Sequence, residues 1–501
     1  MEKTIKVRVD GSEIYTPPGL TLSEIISGER PCGGGGRCGK CKVIAKGDLS
    51  LLTDAERKLL SPREIASGVR LACLTVANGE CDIFTTAPLG GEQILTESGM
   101  PQIPLAPTFS NFGVAVDIGT TTIAARLYDT CGNILSTVTA INPELQWGAD
   151  VVSRIEAALA GKAEEISRSV RGVISKMIED LASVASVNAQ LIERAVITGN
   201  TVMLSLLVGE SVEPFSHAPF AAKRLFGERI TAGELGIYTM DPGAVIYLPP
   251  AISAFVGADT VCAILATELL SGDTAMLADV GTNGEMALWH GDSLFVASTA
   301  AGPAFEGVGI SMGMRGSYGA IDKVTPYLGG AAVHVIGDTE PRGICGSGLV
   351  DAAAYLLESG ELDESGYLED SPVMIKSPVS VTQKDIRMLQ LAKSAICAGL
   401  MTLLERAGIS KDRSSVLYVA GGFGTYLNKN NAARIGLLPR ALAQRAKAVG
   451  NAALAGASML LLSGDLAASA DMIAQKAEVV DLATSPIFSE HYMSGMLLDE
   501  V

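Results

Sequence analysis

The sequence predicts a multidomain α/β protein with a small β-rich unit at its N-terminus, a linker, and a larger region built from two similar halves. Three observations predict this organisation. Cysteines cluster in a glycine-rich loop near the start, prolines and glycines concentrate after residue 87, and one hairpin pattern occurs twice in the remaining chain. The length of 501 residues and the hydrophobic content of 48% suit more than one well-cored domain.

The first predicted unit covers residues 1–87 and consists of strands around short helices. An alternating apolar run predicts a first strand, and the Asp-Gly pair at 10–11 predicts a hairpin turn into a second. Thr21 and Thr53 each stand three residues before a glutamate, which is the capping-box pattern that begins a helix. This order of elements resembles the β-grasp fold of [2Fe–2S] ferredoxins.

The most informative motif in this unit is a group of four cysteines. Cys32, Cys38 and Cys41 lie in the glycine-rich loop, and Cys73 follows at a distance. A plant-type [2Fe–2S] cluster uses C-x4-C-x2-C plus a distant cysteine, and here the first gap is one residue longer. Glycines permit positive φ and a close backbone approach, so that N–H groups can point at sulfur atoms. The motif predicts a [2Fe–2S] cluster and makes electron transfer the first functional hypothesis.

Other interpretations of the cysteines stay open at this point. A structural zinc site usually has two C-x2-C pairs, and only Cys38 and Cys41 form one. A disulfide framework is disfavoured because nine cysteines are sparse in this length and the N-terminus shows no apolar signal segment. Cys81 is the rival for the fourth ligand, but its alternating segment predicts a core or edge thiol of a strand. The remaining scattered cysteines are expected to be small buried hydrophobes: Cys131, Cys262, Cys345 and Cys397.

Charge and hydropathy exclude several classes of partner. The net charge of −17 argues against nucleic acid and against an anionic membrane surface. No uninterrupted apolar run approaches the ~18 residues that a membrane span needs. Free cysteines and an iron–sulfur site together predict a reducing, cytoplasmic location.

A linker is predicted over residues 88–111, where four prolines and several glycines make the chain extended or mobile. The larger region then divides into a first half at 112–271 and a second half at 272–501. Each half contains an apolar strand, an Asp-(Ile/Val)-Gly-Thr turn beginning at Asp117 or Asp279, and a second apolar strand. A repeated unit of this size predicts two halves of similar topology.

The repeated hairpin predicts a nucleotide site. A turn of glycine and threonine offers backbone N–H groups and hydroxyls to phosphate oxygens. An aspartate at the strand end can hold Mg²⁺, which prefers a few carboxylates together with phosphate oxygens and water. One such turn alone is usually an ordinary hairpin, whereas two that face each other across a cleft are a much stronger signal.

The two hairpins resemble the phosphate loops of the RNase-H-like superfamily of acetate and sugar kinases, Hsp70 and actin. That resemblance implies that Asp117 and Asp279 flank the Mg²⁺ of bound ATP. The implied phosphate contacts are Gly119, Thr120, Thr121, Gly281, Thr282, Asn283 and Gly284. Further glycine turns match the superfamily at Gly302 and at Gly421 and Gly422, the last two on the adenosine side. Glu306 and Glu285 are the candidates for positioning the attacking water.

A ferredoxin fused to such an ATPase resembles the reductive activators of corrinoid enzymes in anaerobic bacteria and archaea. The likeness extends to the Asn-Pro-Glu segment at 142–144, the segment 147–155, the turn at 197–203, and the segment 301–307. It implies an ATP-hydrolysing enzyme that reduces inactive Co(II) of a corrinoid methyl-carrier protein to Co(I) through the cluster. It also implies an upstream low-potential electron donor.

The chain departs from larger members of that family. Because this chain is compact, any dimerising middle domain must be small or folded into residues 112–205, and a homodimer is an open possibility. No cysteine follows Cys397, so the extra C-terminal clusters of some relatives are missing. The alternatives are an ATP-dependent electron donor to a dehydratase, a small-molecule kinase with an accessory cluster, and a redox carrier or sensor that binds ATP without turnover.

Overall fold

The structure is a computed structural model that describes residues 4–9, 12–26, 35–37, 39, 41–60, 65, 68–85, 101, 103–327 and 330–501. Three sequence predictions therefore lie outside the described residues. These are the hairpin turn at 10–11, the positions of Cys32 and Cys38, and the linker between 88 and 100.

The N-terminal unit is a five-stranded sheet with the strand order β2-β1-β5-β3-β4. Its elements are β1 (Ile5–Val9), β2 (Ser12–Thr16), α1 (Leu22–Ile25), β3 (Lys42–Leu49), α2 (Asp54–Leu59), β4 (Val69–Leu71) and β5 (Ala77–Thr85). Strand β1 pairs antiparallel with β2 and parallel with β5. Both predicted capping boxes are present, because Glu24 accepts from the N–H of Thr21 at 2.8 Å and Glu56 from that of Thr53 at 2.9 Å.

The described end of the linker runs against the second half of the chain. The N–H of Ala106 donates to the carbonyl of Leu462 at 2.9 Å, and the side chain of Phe109 is buried. Residues 103–111 therefore approach the first strand of the larger region along a fixed path.

The first half of the larger region is built on a six-stranded sheet with the order β10-β11-β9-β6-β7-β8. Its strands are β6 (Phe112–Ile118), β7 (Thr122–Asp129), β8 (Ile134–Ile141), β9 (Ile192–Gly199), β10 (Glu228–Thr231) and β11 (Val245–Leu248). Its helices are α3 (Val151–Ala157), α4 (Ala163–Ala185), α5 (Thr201–Val208), α6 (Ala232–Leu235) and α7 (Ala258–Ala266). Strand β6 is buried along nearly its whole length because helices cover both faces of the sheet.

The second half has a six-stranded sheet with the order β21-β20-β12-β13-β14-β22, a three-stranded sheet and a two-stranded hairpin. Its strands are β12 (Thr274–Val280), β13 (Gly284–His290), β14 (Ser293–Thr299), β15 (Ala320–Tyr327), β16 (Gly330–Val335), β17 (Gly343–Ile344), β18 (Val373–Lys376), β19 (Val379–Val381), β20 (Val416–Ala420), β21 (Ala446–Gly450) and β22 (Ala477–Val479). Its helices are α8 (Gly346–Ser359), α9 (Gln383–Arg406), α10 (Gly422–Tyr426), α11 (Lys429–Arg434), α12 (Arg440–Arg445), α13 (Ala452–Leu462), α14 (Leu466–Lys476) and α15 (Pro486–Ser494).

The two large sheets repeat one arrangement, as the sequence predicted. Strand β6 pairs antiparallel with β7 and parallel with β9, and β12 pairs antiparallel with β13 and parallel with β20. Each repeated aspartate lies near the end of its first strand, where Asp117 pairs with Ala124 and Asp279 pairs with Glu285. The two Gly-Thr turns therefore occupy equivalent positions in the two halves.

Helices α7 and α13 pack together between the two sheets and contribute to a core shared by both halves. Their approach requires Gly456, because a Cβ at that position would collide with the carbonyl oxygen of Cys262. On α13, the hydroxyl of Ser458 accepts a 2.9 Å hydrogen bond from the hydroxyl of Tyr128 in β7. This packing holds the two Gly-Thr turns on opposite walls of one cleft.

Within the described ranges, α9 is the one helix that is long and apolar enough to cross a membrane. Most of it is buried inside the second half, where it packs against α15 and β13. Burial of this kind is typical of the central helix of a folded domain.

Candidate functional site

The cleft between the halves contains a cavity of about 310 Å³. Both Gly-Thr turns line it, and so does the Gly-Gly turn at the start of α10. Every residue that the sequence predicted for the nucleotide site lines this cavity except Gly284 and Gly302. Gly284 instead lies against the core, where a Cβ would collide with the side chain of Ile396.

The first Gly-Thr turn is held from behind by two buried side chains. The amide of Asn142 donates to the carbonyl of Gly119 at 2.9 Å, and the guanidinium of Arg154 donates to the carbonyl of Thr120. Arg154 also forms a fully buried ion pair with Glu144 at 2.8 Å. Burial raises the pKa of Glu144 and lowers that of Arg154, while their mutual attraction opposes both shifts. This network fixes the position of the turn relative to the cavity.

Asp117 at the end of β6 is bound by a residue from the other half of the chain. The amide of Asn451 donates to its carboxylate at 2.8 Å. The carbonyl oxygen of the same side chain accepts from the N–H of Leu454 at 2.7 Å and so caps α13. Asn451 thus orients Asp117 and ties the beginning of α13 to the first sheet.

Four carboxyl groups converge on the cavity, where Asp117 is buried and Asp259, Asp279 and Glu285 are half-buried. Burial, assisted by the charges of neighbouring acids, raises the pKa of Asp117 and of Asp279 to about 7. Burial also raises the pKa of Asp259 to about 6 and that of Glu285 well above its usual range. Among the described residues no three metal-ligating side chains come close enough to hold a metal ion by themselves. The arrangement suits Mg²⁺, which keeps several waters and adds phosphate oxygens to one or two carboxylates.

Glu306 joins the two Gly-Thr turns across the cavity. The hydroxyl of Thr121 donates to one of its carboxylate oxygens at 2.5 Å, and the hydroxyl of Thr282 donates to the other at 3.0 Å. Both hydroxyls belong to the turns that the sequence predicted to contact phosphate. The carboxylate of Glu306 therefore lies next to two of the predicted phosphate contacts.

Glycine turns and aromatic rings form another part of the cavity wall. Gly421 has a φ of +88°, and a Cβ there would lie 3.0 Å from the carbonyl oxygen of Val280, so the position favours glycine. The rings of Phe305 and Phe423 stack with centroids 4.5 Å apart, and both line the cavity. The first residues of α8 also face the cavity, which directs the N-terminus of that helix toward it.

Several lining residues were not among the sequence predictions, and Asn451, Asp259 and Arg315 are the ones with the strongest polar chemistry. Asn451 is the N-cap of α13 and Asp259 lies in the first turn of α7, so a place at the start of a helix was the only local signal for either residue. Arg315 is the one basic residue among the described residues that line the cavity. It lies between the turn at Gly302 and β15, in a segment without regular structure, so no periodicity marks it.

The described part of the cysteine site contains Cys41 and Cys73. Their Sγ atoms lie 3.2 Å apart, which is close enough to bind one metal atom and longer than a disulfide bond. Contact with Cys73 lowers the pKa of the Cys41 thiol to about 6, although burial opposes the shift. Cys81 lies elsewhere, buried in the sheet on β5 beside Val7 and Gly47. Burial raises the pKa of Cys81.

A buried glutamate positions the segment that carries Cys73. The carboxylate of Glu56 accepts hydrogen bonds from the guanidinium of Arg70 at 2.9 Å, from the N–H of Leu71 at 3.1 Å and from the hydroxyl of Thr75 at 3.0 Å. Burial favours the neutral form, but these hydrogen bonds dominate and bring the pKa of Glu56 down to about 2. The carbonyl of Cys41 accepts from the N–H of Ala72 at 2.7 Å, which brings the two cysteine segments together.

Two family models match the larger region. The model described as the C-terminal domain of RACo, the ASKHA domain, matches residues 273–501. The model described as the RACo middle region matches residues 112–271.

Curated relatives and a solved structure agree with these matches. A protein of Eubacterium limosum named corrinoid activation enzyme RamQ is 34% identical over 422 residues, covering 78% of this chain and 70% of the relative. A protein of Methanosarcina barkeri named Co(II) methylated amine-specific corrinoid protein reductase is 29% identical over 416 residues, covering 76% of each. A solved structure described as a reductive activator for corrinoid, iron–sulfur protein has a TM-score of 0.72 at 26% identity and covers 99% of this chain and 98% of its own.

Proposed function

This chain belongs to the RACo family of reductive activators of corrinoid proteins, and we propose that it couples ATP hydrolysis to the reduction of a partner's cobalt. One electron converts inactive Co(II) to Co(I), and ATP and water give ADP and phosphate. The electron comes from a low-potential donor by way of an iron–sulfur cluster on this chain. The proposed location of the reaction is the cytoplasm.

The observation that carries this proposal is the convergence of both repeated turns on one cavity. The hydroxyls of Thr121 and Thr282 approach the same carboxylate from opposite halves. Two facing Gly-Thr turns with an aspartate at each strand end provide donors for phosphate oxygens and carboxylates for a hydrated Mg²⁺. ATP hydrolysis therefore has a site within this chain, distinct from the cysteine site.

The roles proposed for the nucleotide site follow from these positions. Asp117 and Asp279 hold Mg²⁺ through water, the two Gly-Thr turns bind phosphate oxygens, and Gly421 and Gly422 border the adenosine. Glu306 or Glu285 positions the attacking water. Both the first half at 112–271 and the second half at 272–501 contribute, so the complete site requires the whole larger region.

The proposed electron carrier is a [2Fe–2S] cluster in the unit formed by residues 1–87, connected through the linker at 88–111. Strand order and helix placement in this unit support a β-grasp ferredoxin fold. The ligands are Cys32, Cys38, Cys41 and Cys73, and the cluster supplies a one-electron store when bound. Sγ atoms of Cys41 and Cys73 at 3.2 Å fit two ligands of the same iron atom.

ATP acts on the partner's state and not on the cluster. The nucleotide cavity belongs to the larger region, whereas the cysteines belong to the N-terminal unit. Nucleotide binding changes the equilibrium only if ATP has different affinities for two states of the complex with the corrinoid protein. The proposed favoured state is one in which a lower ligand has left Co(II), because the cobalt then becomes easier to reduce.

The test combines the chain with a purified Co(II) corrinoid protein, a low-potential reductant and Mg²⁺-ATP, and follows the absorption of Co(I). Co(I) is expected to form only when both ATP and an intact cysteine site are present. Persistence of Co(II) in the complete mixture would overturn the proposal. ATP hydrolysis stimulated by a dehydratase or by a small-molecule acceptor instead would support one of the alternative functions.

A further inference from the structure

Two aromatic rings on the first half are in contact with each other and remain exposed. The ring centroids of Phe220 and Phe255 lie 5.6 Å apart, and the residues are 42% and 37% exposed. Leu225, which is also 42% exposed, lies in the same segment as Phe220. Single exposed apolar residues are ordinary, but a paired aromatic cluster of this kind marks an interaction site more often. These three residues are called the Phe220 surface below.

The backbone beneath this surface is held in an unusual conformation. Phe220 has a φ of +54° and Phe226 a φ of +60°, a region that bulky side chains rarely adopt. A hydrogen bond from the N–H of Phe220 to the carbonyl of His217 closes the turn at 2.9 Å. Strained backbone of this kind persists where the surrounding structure enforces it, and such positions concentrate at functional sites.

The surface is connected to the nucleotide cavity through the loop at 251–257. The N–H of Ala251 donates to the carbonyl of Leu225 at 2.7 Å, and the hydroxyl of Thr201 donates to the carbonyl of Ser253 at 2.6 Å. At the end of the loop Gly257 leaves no room for a Cβ, which would lie 2.5 Å from the Cα of Asn200 and 2.6 Å from the carboxylate of Asp259. Asn200 and Asp259 both line the cavity, so a short series of direct contacts runs from the cavity to the loop that carries Phe255.

The charge near this surface is opposite to that of the chain. Residues 217–229 carry three basic residues, Lys223, Arg224 and Arg229, against one acidic residue, whereas the whole chain has a net charge of −17. Arg224 forms an ion pair with Glu228 at 2.5 Å. Lys223 and Arg229 are exposed, and the guanidinium of Arg229 lies over the ring of Tyr247. A partner with an apolar centre and an acidic border would fit this surface.

We propose that the Phe220 surface is where the corrinoid protein docks, and that the loop at 251–257 links this docking to the nucleotide. The inference rests on the proposed function, which requires ATP to alter the affinity for the partner. A docking surface that meets this requirement must be in contact with the cavity, and the loop at 251–257 provides that contact for the Phe220 surface. By reciprocity, the corrinoid protein then changes the affinity for ATP by the same factor.

The test uses the full chain together with a corrinoid protein that the wild-type chain has already been shown to reduce in the Co(I) assay. Failure of the proposed function would therefore appear in that assay, before any docking variant is measured. Phe220→Ser and Phe255→Ser are each expected to weaken binding of that protein on the order of tenfold, with basal ATP hydrolysis retained. The KM for the corrinoid protein should rise while kcat at saturation stays close to wild type. The matched control is Val184→Ser, which changes a side chain that is 68% exposed on α4.

The contribution of charge is measured with Lys223→Glu and by raising the ionic strength. Wild-type affinity is expected to fall with added salt, and the variant is expected to bind more weakly at low salt. Wild-type affinity in both phenylalanine variants would overturn the proposal. So would a change in the oligomeric state of the variants by sedimentation, because the surface would then belong to a contact between copies of this chain.

Discussion

Glu306 and Thr121 are 185 positions apart in the sequence, and the hydroxyl of Thr121 donates a 2.5 Å hydrogen bond to the carboxylate of Glu306 across the cleft. The second carboxylate oxygen accepts from Thr282, so one side chain bridges equivalent turns of the two halves. Phosphate oxygens of ATP would compete for both hydroxyls. Entry of the nucleotide would therefore require Glu306 to release both hydroxyls.

Glu306→Gln is expected to separate binding from turnover. The amide removes a negative charge beside the phosphate groups, so ATP should bind more tightly. Hydrolysis should fall on the order of a hundredfold, because an amide cannot accept the proton of the attacking water. Equilibrium binding and single-turnover hydrolysis measure the two effects. Glu340→Gln changes an exposed carboxylate and is the control, and normal turnover in Glu306→Gln would remove Glu306 from the reaction.

Asp117→Asn and Asp279→Asn should abolish ATP turnover and leave the visible spectrum of the cluster intact. Each change preserves size and removes a charge that helps to hold Mg²⁺. Loss of metal-assisted stabilisation is worth several kcal/mol, or roughly a hundredfold or more in rate. Steady-state hydrolysis and absorption spectra on the same samples give both readouts. Full hydrolysis in either variant would exclude that aspartate from the mechanism.

Binding of Mg²⁺-nucleotide should release protons near neutral pH. Asp117 and Asp279 have pKa values of about 7 and Asp259 of about 6, so part of each population is protonated until the metal binds. Affinity is expected to rise as pH increases through this range. Calorimetry in two buffers with different ionisation enthalpies counts the protons. Asp117→Asn should release fewer, while Asp292→Asn, at a fully exposed side chain, should match wild type.

The same raised pKa values determine whether the stability of the ligand-free chain rises or falls with pH. A raised carboxyl pKa means that the folded state binds more protons than the unfolded state between about pH 4 and about pH 7. The contribution of these groups to stability is therefore lost as pH rises through that window. Thermal unfolding without nucleotide, compared between wild type and Asp117→Asn, measures it; an unchanged pH dependence in the variant would contradict the assignment.

Substitution of the cysteines should distinguish ligands from core thiols. Cys73→Ser is expected to lose or severely alter the visible absorption of the cluster, because its Sγ lies beside that of Cys41. Cys81→Ser should keep the absorption, since Cys81 is buried in the sheet between β1 and β3. Bleaching in the second variant together with a normal spectrum in the first would show that the ligand assignment is wrong.

Arg154→Met is expected to destabilise the larger region by about 3–5 kcal/mol, because it leaves Glu144 buried without its partner. Adding Glu144→Leu should recover part of the free energy of unfolding, since two apolar residues can replace a buried ion pair. ATP binding should remain weakened in the double variant, because Thr120 still lacks its donor. Recovery of full ATP affinity would limit the role of Arg154 to stability.

The sequence was sufficient to predict the hairpins at Asp117 and Asp279 because their signal is local and repeated. The positions of Asn451 and Asp259 depend on how two helices cross between the sheets, and no local pattern contains that information. Asn451 meets Asp117 from 334 positions away. Pattern alone also could not separate a glycine that faces a ligand from one that faces the core. Gly284 shows this, because its missing side chain makes room for Ile396.

The crossing of α7 and α13 at Gly456 makes the two halves a single cooperative unit. Helix α13 comes late in the chain, yet Asn451 and Ser458 bind Asp117 and Tyr128 of the first sheet. A break between residues 271 and 272 would leave each fragment with an unfinished core. In the intact chain, amide hydrogens of both sheets are therefore expected to exchange together in one global unfolding event.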